Sequence, residues 1–176
     1  MADASGTNEV LTRWNSLDAA EAAQEALPCN GSHAWARLLA ARRPMIDAAE
    51  VVAASNDVWR TLSNEDWQEA FDSHPRIGER HAQAATATSL KSSAQEQSGA
   101  MSADDAAKAA LIEGNKRYEA KFGRIFLVRA SGRSATDILA ILESRLTNDA
   151  ETELHEAAEQ QRQITELRLQ RWLGGE

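Results

Sequence analysis

Residues 71–80 read FDSHPRIGER, and they break a chain that otherwise reads as one helix after another. Pro75 pushes the preceding residue, His74, away from the α-region and cannot itself continue a helix. Gly78 permits a turn that a side chain would hinder. The pattern predicts a helix that ends just before His74 and an imidazole carried on extended backbone. That placement aims a titratable ring away from its own helix.

On either side, Ala, Leu, Glu, Gln and Arg dominate and β-branched runs are scarce, which favours helices. Asp18 with Glu21 predicts a capped helix ending near Pro28. Gly31 and Ser32 open a helix with Trp35, Leu38 and Leu39, which stops before Pro44. Pro44 suits the first turn of the next helix, where Ile46, Ala49, Ala53 and Trp59 follow at helical spacing. Ser63 and Asp66 make a capping pattern ahead of Trp67, Ala70 and Phe71. Residues 81–92 have no strong period and read as loop or weak helix. Ser102 and Asp105 repeat the cap before a helix over 103–121, which Gly123 is placed to end. Residues 124–129, RIFLVR, alone have strand character. Short and without a partner, they predict an extended buried segment and no sheet. Ser134 with Asp137 caps a helix that turns Ile138, Leu139, Leu142 and Leu146 inward, and the run from Asn148 to Glu151 caps the last one. The expected fold is all-α: a single multi-helical domain over 8–173, behind a flexible tail at 1–7.

The chain has 176 residues, 43% hydrophobic and 26% charged, enough for one domain with a sizeable core. Its net charge of −8 argues against nucleic acid or an anionic membrane as the main partner. An anionic small molecule remains open, because one arginine in a pocket outweighs the global sign locally. Cys29 is the lone cysteine, so no internal disulfide forms and a reducing compartment is expected. No apolar run reaches membrane-spanning length. No basic-then-apolar leader opens the sequence, and its last residues are not a receptor-read targeting tripeptide. A cytoplasmic protein is the expectation.

Three separated places carry chemistry. His74 titrates near neutrality and is either a proton carrier or a structural cap of the helix before it. Ser93, Glu96 and Gln97 come next. On a helix Ser93 and Glu96 share a face with Gln97 adjacent, presenting a hydroxyl, a carboxylate and an amide; the same residues also suit a helix start with Ser93 as cap. The third is Arg168. Advancing about 100° per residue from Leu154 puts Ala158, Gln161, Ile164, Arg168 and Trp172 on one side. A guanidinium on an apolar stripe is costly unless paired. It suits a substrate carboxylate held by a two-pronged fork, or an internal ion pair with Glu96 or Asp72. Arg162, Glu166 and Arg171 read as solvated charges. His74, Glu79 and His81 are a rival metal set, but their spacing matches no established zinc pattern. With no phosphate loop, nucleophile elbow or cofactor signature, chemistry falls to acid–base groups and positioning.

At these residues the chain resembles the 2-oxo-4-hydroxy-4-carboxy-5-ureidoimidazoline (OHCU) decarboxylases, which close the route from urate to allantoin. The resemblance is carried by SHPRIGER at 73–80, SAQEQSGA at 93–100, NKRYEAKFGRIFLVRASGRS at 115–134, RLTND at 145–149 and ITELRL at 164–169. Trp35, Arg43-Pro44 and Asp66-Trp67 fit the same order, so the likeness runs from about Leu11 to Leu173. It implies an all-helical domain that decarboxylates an anionic ureidoimidazoline to (S)-allantoin with no metal or cofactor, as a homodimer. It implies His74, Glu96 and Arg168 as catalytic. Substrate contacts are implied for Pro75, Ser93 and Gln97, and for Phe126, Leu127, Val128, Arg129 and Ala130 in the extended segment. Ser92 and Arg129 depart from the family pattern, which carries an aromatic residue at the first position and a small or apolar one at the second. A helical binding or scaffold protein that kept the fold without the chemistry is the alternative; a metal-dependent amidohydrolase is a weaker third.

Overall fold

The structure, a computed structural model, describes residues 8–77, 90–96 and 105–174 in full and 87–89 as backbone. The elements in chain order are α1 (Glu9–Ser16), α2 (Ala19–Ala26), a 3-10 turn (Leu27–Cys29), α3 (His33–Ala40), α4 (Ala48–Thr61) and α5 (Asn64–Asp72). They continue with α6 (Ala87–Glu96), α7 (Asp105–Phe122), α8 (Ala135–Arg145) and α9 (Ala150–Gly174). No strand occurs among the described residues. The all-α expectation therefore holds.

The helix starts follow local chemistry. Asp18/Glu21, Ser63/Asp66 and Ser134/Asp137 each close a reciprocal capping box, and Ser32 caps α3 by accepting from Trp35 N–H. Such a cap contributes about 1 kcal/mol. One expectation is corrected and another is made specific. Pro44 does not open α4: it lies in a loop behind a cis peptide, and Ile46 is 87% exposed. The helix begins at Ala48, because Asp47 supplies the cap by accepting from Glu50 N–H. The last helix is capped by Asp149, which accepts from Thr152 N–H at 2.8 Å; Asn148 instead donates to Glu153. Of the stretch 81–92, expected to be loop or weak helix, the described part from Ala87 is helical and runs on to Glu96. The tail at 1–7, the turn at Gly78 and the cap at Ser102 lie outside the described residues.

Two apolar cores form. The first gathers Trp14, Trp35, Trp59, Phe71 and Leu169 from α1, α3, α4, α5 and α9. Its tryptophans bury their indole N–H groups on acceptors: Trp14 on Ala22 O, Trp35 on Ser55 Oγ and Trp59 on Ala158 O. Burial without those bonds would cost more than the ring area returns. The second core holds Tyr118, Phe122, Ile138 and Leu142 between α7 and α8. Gly123 ends α7 at φ +69°, a left-handed turn that favours glycine.

The segment after Gly123 joins the two cores. It is extended and unpaired, as expected. Phe126, Val128 and Ala130 belong to the second core, and Leu127 to the first. Alternate residues of an extended chain point to opposite sides, so Phe126, Val128 and Ala130 face one core and Leu127 the other, while Arg129 is exposed.

Candidate active site

The site is assembled where α9, the Leu27–Cys29 turn, the end of α5 and the last turn of α6 meet. His74 lies two residues beyond α5 and is 6% exposed. It does not cap its own helix: its Nε2 is 2.8 Å from Oε1 of Gln161, 87 residues away on α9. Pro75 beside it is buried. Burial is the main reason that the imidazole pKa falls to about 3; the nearby Arg168 adds to the fall and the Gln161 hydrogen bond opposes it. The ring is therefore neutral at pH 7.

Ser93 and Glu96 lie in the final turn of α6, not at a helix start. One turn apart, they face the same partner, as their spacing predicts. Arg168 Nε donates to Glu96 Oε1 at 2.9 Å, and Nη2 donates to Glu96 Oε2 at 3.1 Å and to Ser93 Oγ at 3.0 Å. Its remaining nitrogen, Nη1, lies 3.4 Å from Pro28 O. Arg168 and Glu96 are 4% and 8% exposed. Arg168 is thus buried and paired, as a guanidinium on an apolar stripe must be, and of its two possible internal partners the structure selects Glu96 over Asp72.

Arg171 and Arg162, expected as solvated charges, are instead largely buried. Arg171 Nη1 is buried 3.7 Å from Glu96 Oε1 without a hydrogen bond. Arg162 is half-buried between Glu159 and Glu166. Beside the Arg168 pair opens a cavity of about 770 Å³. Pro28, Cys29, Lys91, Arg168, Arg171 and Trp172 are among the groups that line it. Cys29 is buried and free, and burial raises its thiol pKa to about 12.

The extended segment is anchored through its backbone. Leu127 O accepts from Arg145 Nη1 at 2.7 Å, Arg129 N–H donates to Gln160 Oε1 at 2.9 Å, and Arg129 O accepts from Arg133 Nε at 3.1 Å. The Arg129 side chain is exposed. Behind Leu127 is a buried polar cluster that sequence reasoning left without a role. Glu153, 0% exposed, accepts from Arg145 Nε at 2.9 Å, from Asn148 at 3.0 Å and from the Tyr118 hydroxyl. Three helices supply it, so no local spacing announces it. Gln161, in contrast, was visible on the Arg168 stripe, but nothing local pointed from it to His74. Gln97, Glu79 and His81 lie outside the described residues. Among the described residues no three His, Cys, Asp or Glu side chains gather to hold a metal ion.

Chemically, the arrangement offers a neutral imidazole, a buried carboxylate and a guanidinium at the junction of three helices and a turn. The OHCU decarboxylase family matches residues 15–170. The uric acid degradation bifunctional protein TTL of Arabidopsis thaliana is 36% identical over 143 residues, 80% of this chain and 44% of that protein; the chain thus spans less than half the length of that relative. A crystal structure of OHCU decarboxylase in the presence of (S)-allantoin superposes with a TM-score of 0.74 at 34% identity, covering 85% of this chain and 97% of the other. A crystal structure of (S)-allantoin synthase shares the fold at a TM-score of 0.69 and 19% identity, over 92% of this chain and 53% of that one. The chain belongs to the OHCU decarboxylase family.

Proposed function

We propose that this protein decarboxylates OHCU to (S)-allantoin and CO2, with His74, Glu96 and Arg168 as its catalytic groups. The observation that carries this reading is their joint burial at one junction, from three places far apart in sequence. The substrate bears a hydroxyl and a carboxylate on one ring carbon, next to a C=N group. The bond to CO2 breaks and its electron pair passes into that C=N. The ring nitrogen that receives the pair takes one proton and the neighbouring carbon, which becomes the stereocentre, takes another; the hydroxyl supplies one of the two as it becomes a carbonyl, and solvent supplies the other.

A neutral His74 is a base, so its first act is to accept, most simply the hydroxyl proton. Arg168 binds the anionic substrate while its bonds to Glu96 and Ser93 hold the guanidinium plane. Fixing the carboxylate perpendicular to the conjugated plane aligns the breaking bond with the electron sink. Glu96 and Ser93 face the hydroxyl and ureido groups, a role that the family resemblance extends to Gln97. The peptide of Val128, which makes no hydrogen bond with the described residues, is our choice to read the flat ring, with Pro75 and the rest of 126–130 shaping the pocket.

The family resemblance supports a homodimer and a single domain over 8–173; the free, buried Cys29 supports a reducing compartment such as the cytoplasm. No described helix is long and apolar enough to cross a membrane. The test uses freshly generated substrate and follows circular dichroism. Protonation in water strikes both faces and gives racemate, so enzymatic turnover appears as a fast optical signal. His74→Ala should abolish it; a full rate in that variant overturns the assignment. Binding of a flat purine-like analogue without any turnover favours the scaffold reading.

A further inference from the structure

Resting on the reading of His74 as the proton carrier, we propose that Gln161 is a positioning residue. It holds His74 as the Nε2–H tautomer, which makes Nδ1 the nitrogen that exchanges protons with substrate.

An amide facing an imidazole leaves the roles ambiguous, because amide O and N look alike. Here the backbone removes the ambiguity. The Asn30 carbonyl can only accept, so the Gln161 atom 3.3 Å from it is the amide nitrogen. That nitrogen also donates to Thr165 Oγ1 at 3.1 Å. The atom facing the imidazole at 2.8 Å is then Oε1. An amide oxygen only accepts, so the hydrogen sits on His74 Nε2. Asn30 is fixed in the same way. Ser32 N–H can only donate, so Asn30 turns Oδ1 to it at 3.1 Å and sends its amide nitrogen to Thr165 Oγ1 at 3.0 Å.

The relay is closed to water, since Gln161 is 0% exposed and Asn30 1%. It is also tied to the catalytic turn. Gly31 adopts φ +100°, and a Cβ there would stand 2.2 Å from Oγ of Ser73, the residue before His74. Glycine lets the two turns pack. Nδ1 makes no hydrogen bond with the described residues, so its lone pair is left for substrate. The ring stays neutral because it is buried and faces Arg168 of α9. That cation is paired to Glu96 of α6, and the Cys29 thiol stays protonated, so no free anion among the described residues favours an imidazolium.

The decisive measurement is a two-bond nitrogen–proton correlation spectrum of the histidine-labelled wild-type protein, with the His74 signals identified by their loss in His74→Gln. The expected result is a pyridine-type Nδ1 and a pyrrole-type Nε2, unchanged from about pH 5 to 8. The opposite tautomer, or an imidazolium, overturns the proposal. Gln161→Met should give mixed tautomers and a kcat lower by about 10–100-fold, with KM within about twofold of wild type. Gln161→Glu offers a carboxylate to the ring, and should raise the His74 pKa and move the acid limb of the rate profile upward. A merely structural glutamine would leave that limb in place. Wild-type kcat in Gln161→Met also overturns the proposal; if that variant does not fold, the wild-type spectrum decides. Full turnover in His74→Ala would remove the catalytic reading instead, and the spectrum would still settle the tautomer.

Discussion

Arg168 and Glu96, 72 residues apart in sequence, meet in a two-bond fork of 2.9 and 3.1 Å with both side chains almost wholly buried. Removing Arg168 leaves the buried Glu96 carboxylate without a hydrogen-bonded cation, since Arg171 stands 3.7 Å away. Arg168→Ala should therefore lower stability by about 3–5 kcal/mol, besides removing turnover. Arg168→Met with Glu96→Leu should recover much of that stability while staying inactive. Urea titrations of the three proteins beside the optical assay check this. Equal loss of stability in the single and double variants would show that the fork is not the cause.

His74 links the same site to pH. Its folded pKa of about 3 lies below the unfolded value near 6.5. Between those limits the unfolded chain binds a proton that the native state refuses, so stability rises with pH across the window and levels off above it. The slope from this group is at most about 1.4 kcal/mol per pH unit. Carboxylates titrate in the same range, so the comparison that isolates the term is His74→Gln. Its unfolding free energy should fall less steeply from pH 6.5 down to 4 than that of wild type. Parallel curves would place the imidazole in a wetter setting than the structure shows.

The sequence made some of this legible and hid the rest for physical reasons. Caps such as Ser63 with Asp66 act over three residues, so their meaning is local. Arg168 stood out because a helix repeats on a fixed angle, and a charge on an apolar stripe demands a partner. Its partner, the role of Gln161, and the meeting of Tyr118, Arg145 and Glu153 depend on packing between helices, which no spacing encodes. Pro44 misled because a better cap, Asp47, stood three residues on. Residues 87–92, mostly small side chains with little period, nevertheless begin the helix that brings Ser93 and Glu96 to Arg168.

The cluster behind the extended segment yields its own test. Arg145 both neutralises Glu153 and holds Leu127 O. Arg145→Met strips the buried Glu153 of its cation, a loss of about 3–5 kcal/mol, and frees the segment at 126–130. Amide exchange should then quicken at Arg129, whose N–H is held by Gln160. Glu153→Gln with Arg145→Met should recover stability but not that protection. Unchanged exchange at Arg129 in the single variant would mean that the two cores alone fix the segment.

Arg129 is the complementary case, a departure from the family pattern within the proposed substrate segment. Its backbone is bonded on both sides, through N–H to Gln160 and through O to Arg133. Its side chain is exposed, between neighbours that are buried. The structure thus separates what the position contributes: the peptide builds the segment, and the guanidinium points out of it. Arg129→Ala should change stability by no more than about 0.5 kcal/mol and leave kcat and KM near their wild-type values. Thermal unfolding with steady-state turnover measures both. A marked rise in KM with kcat unchanged would place this side chain against substrate.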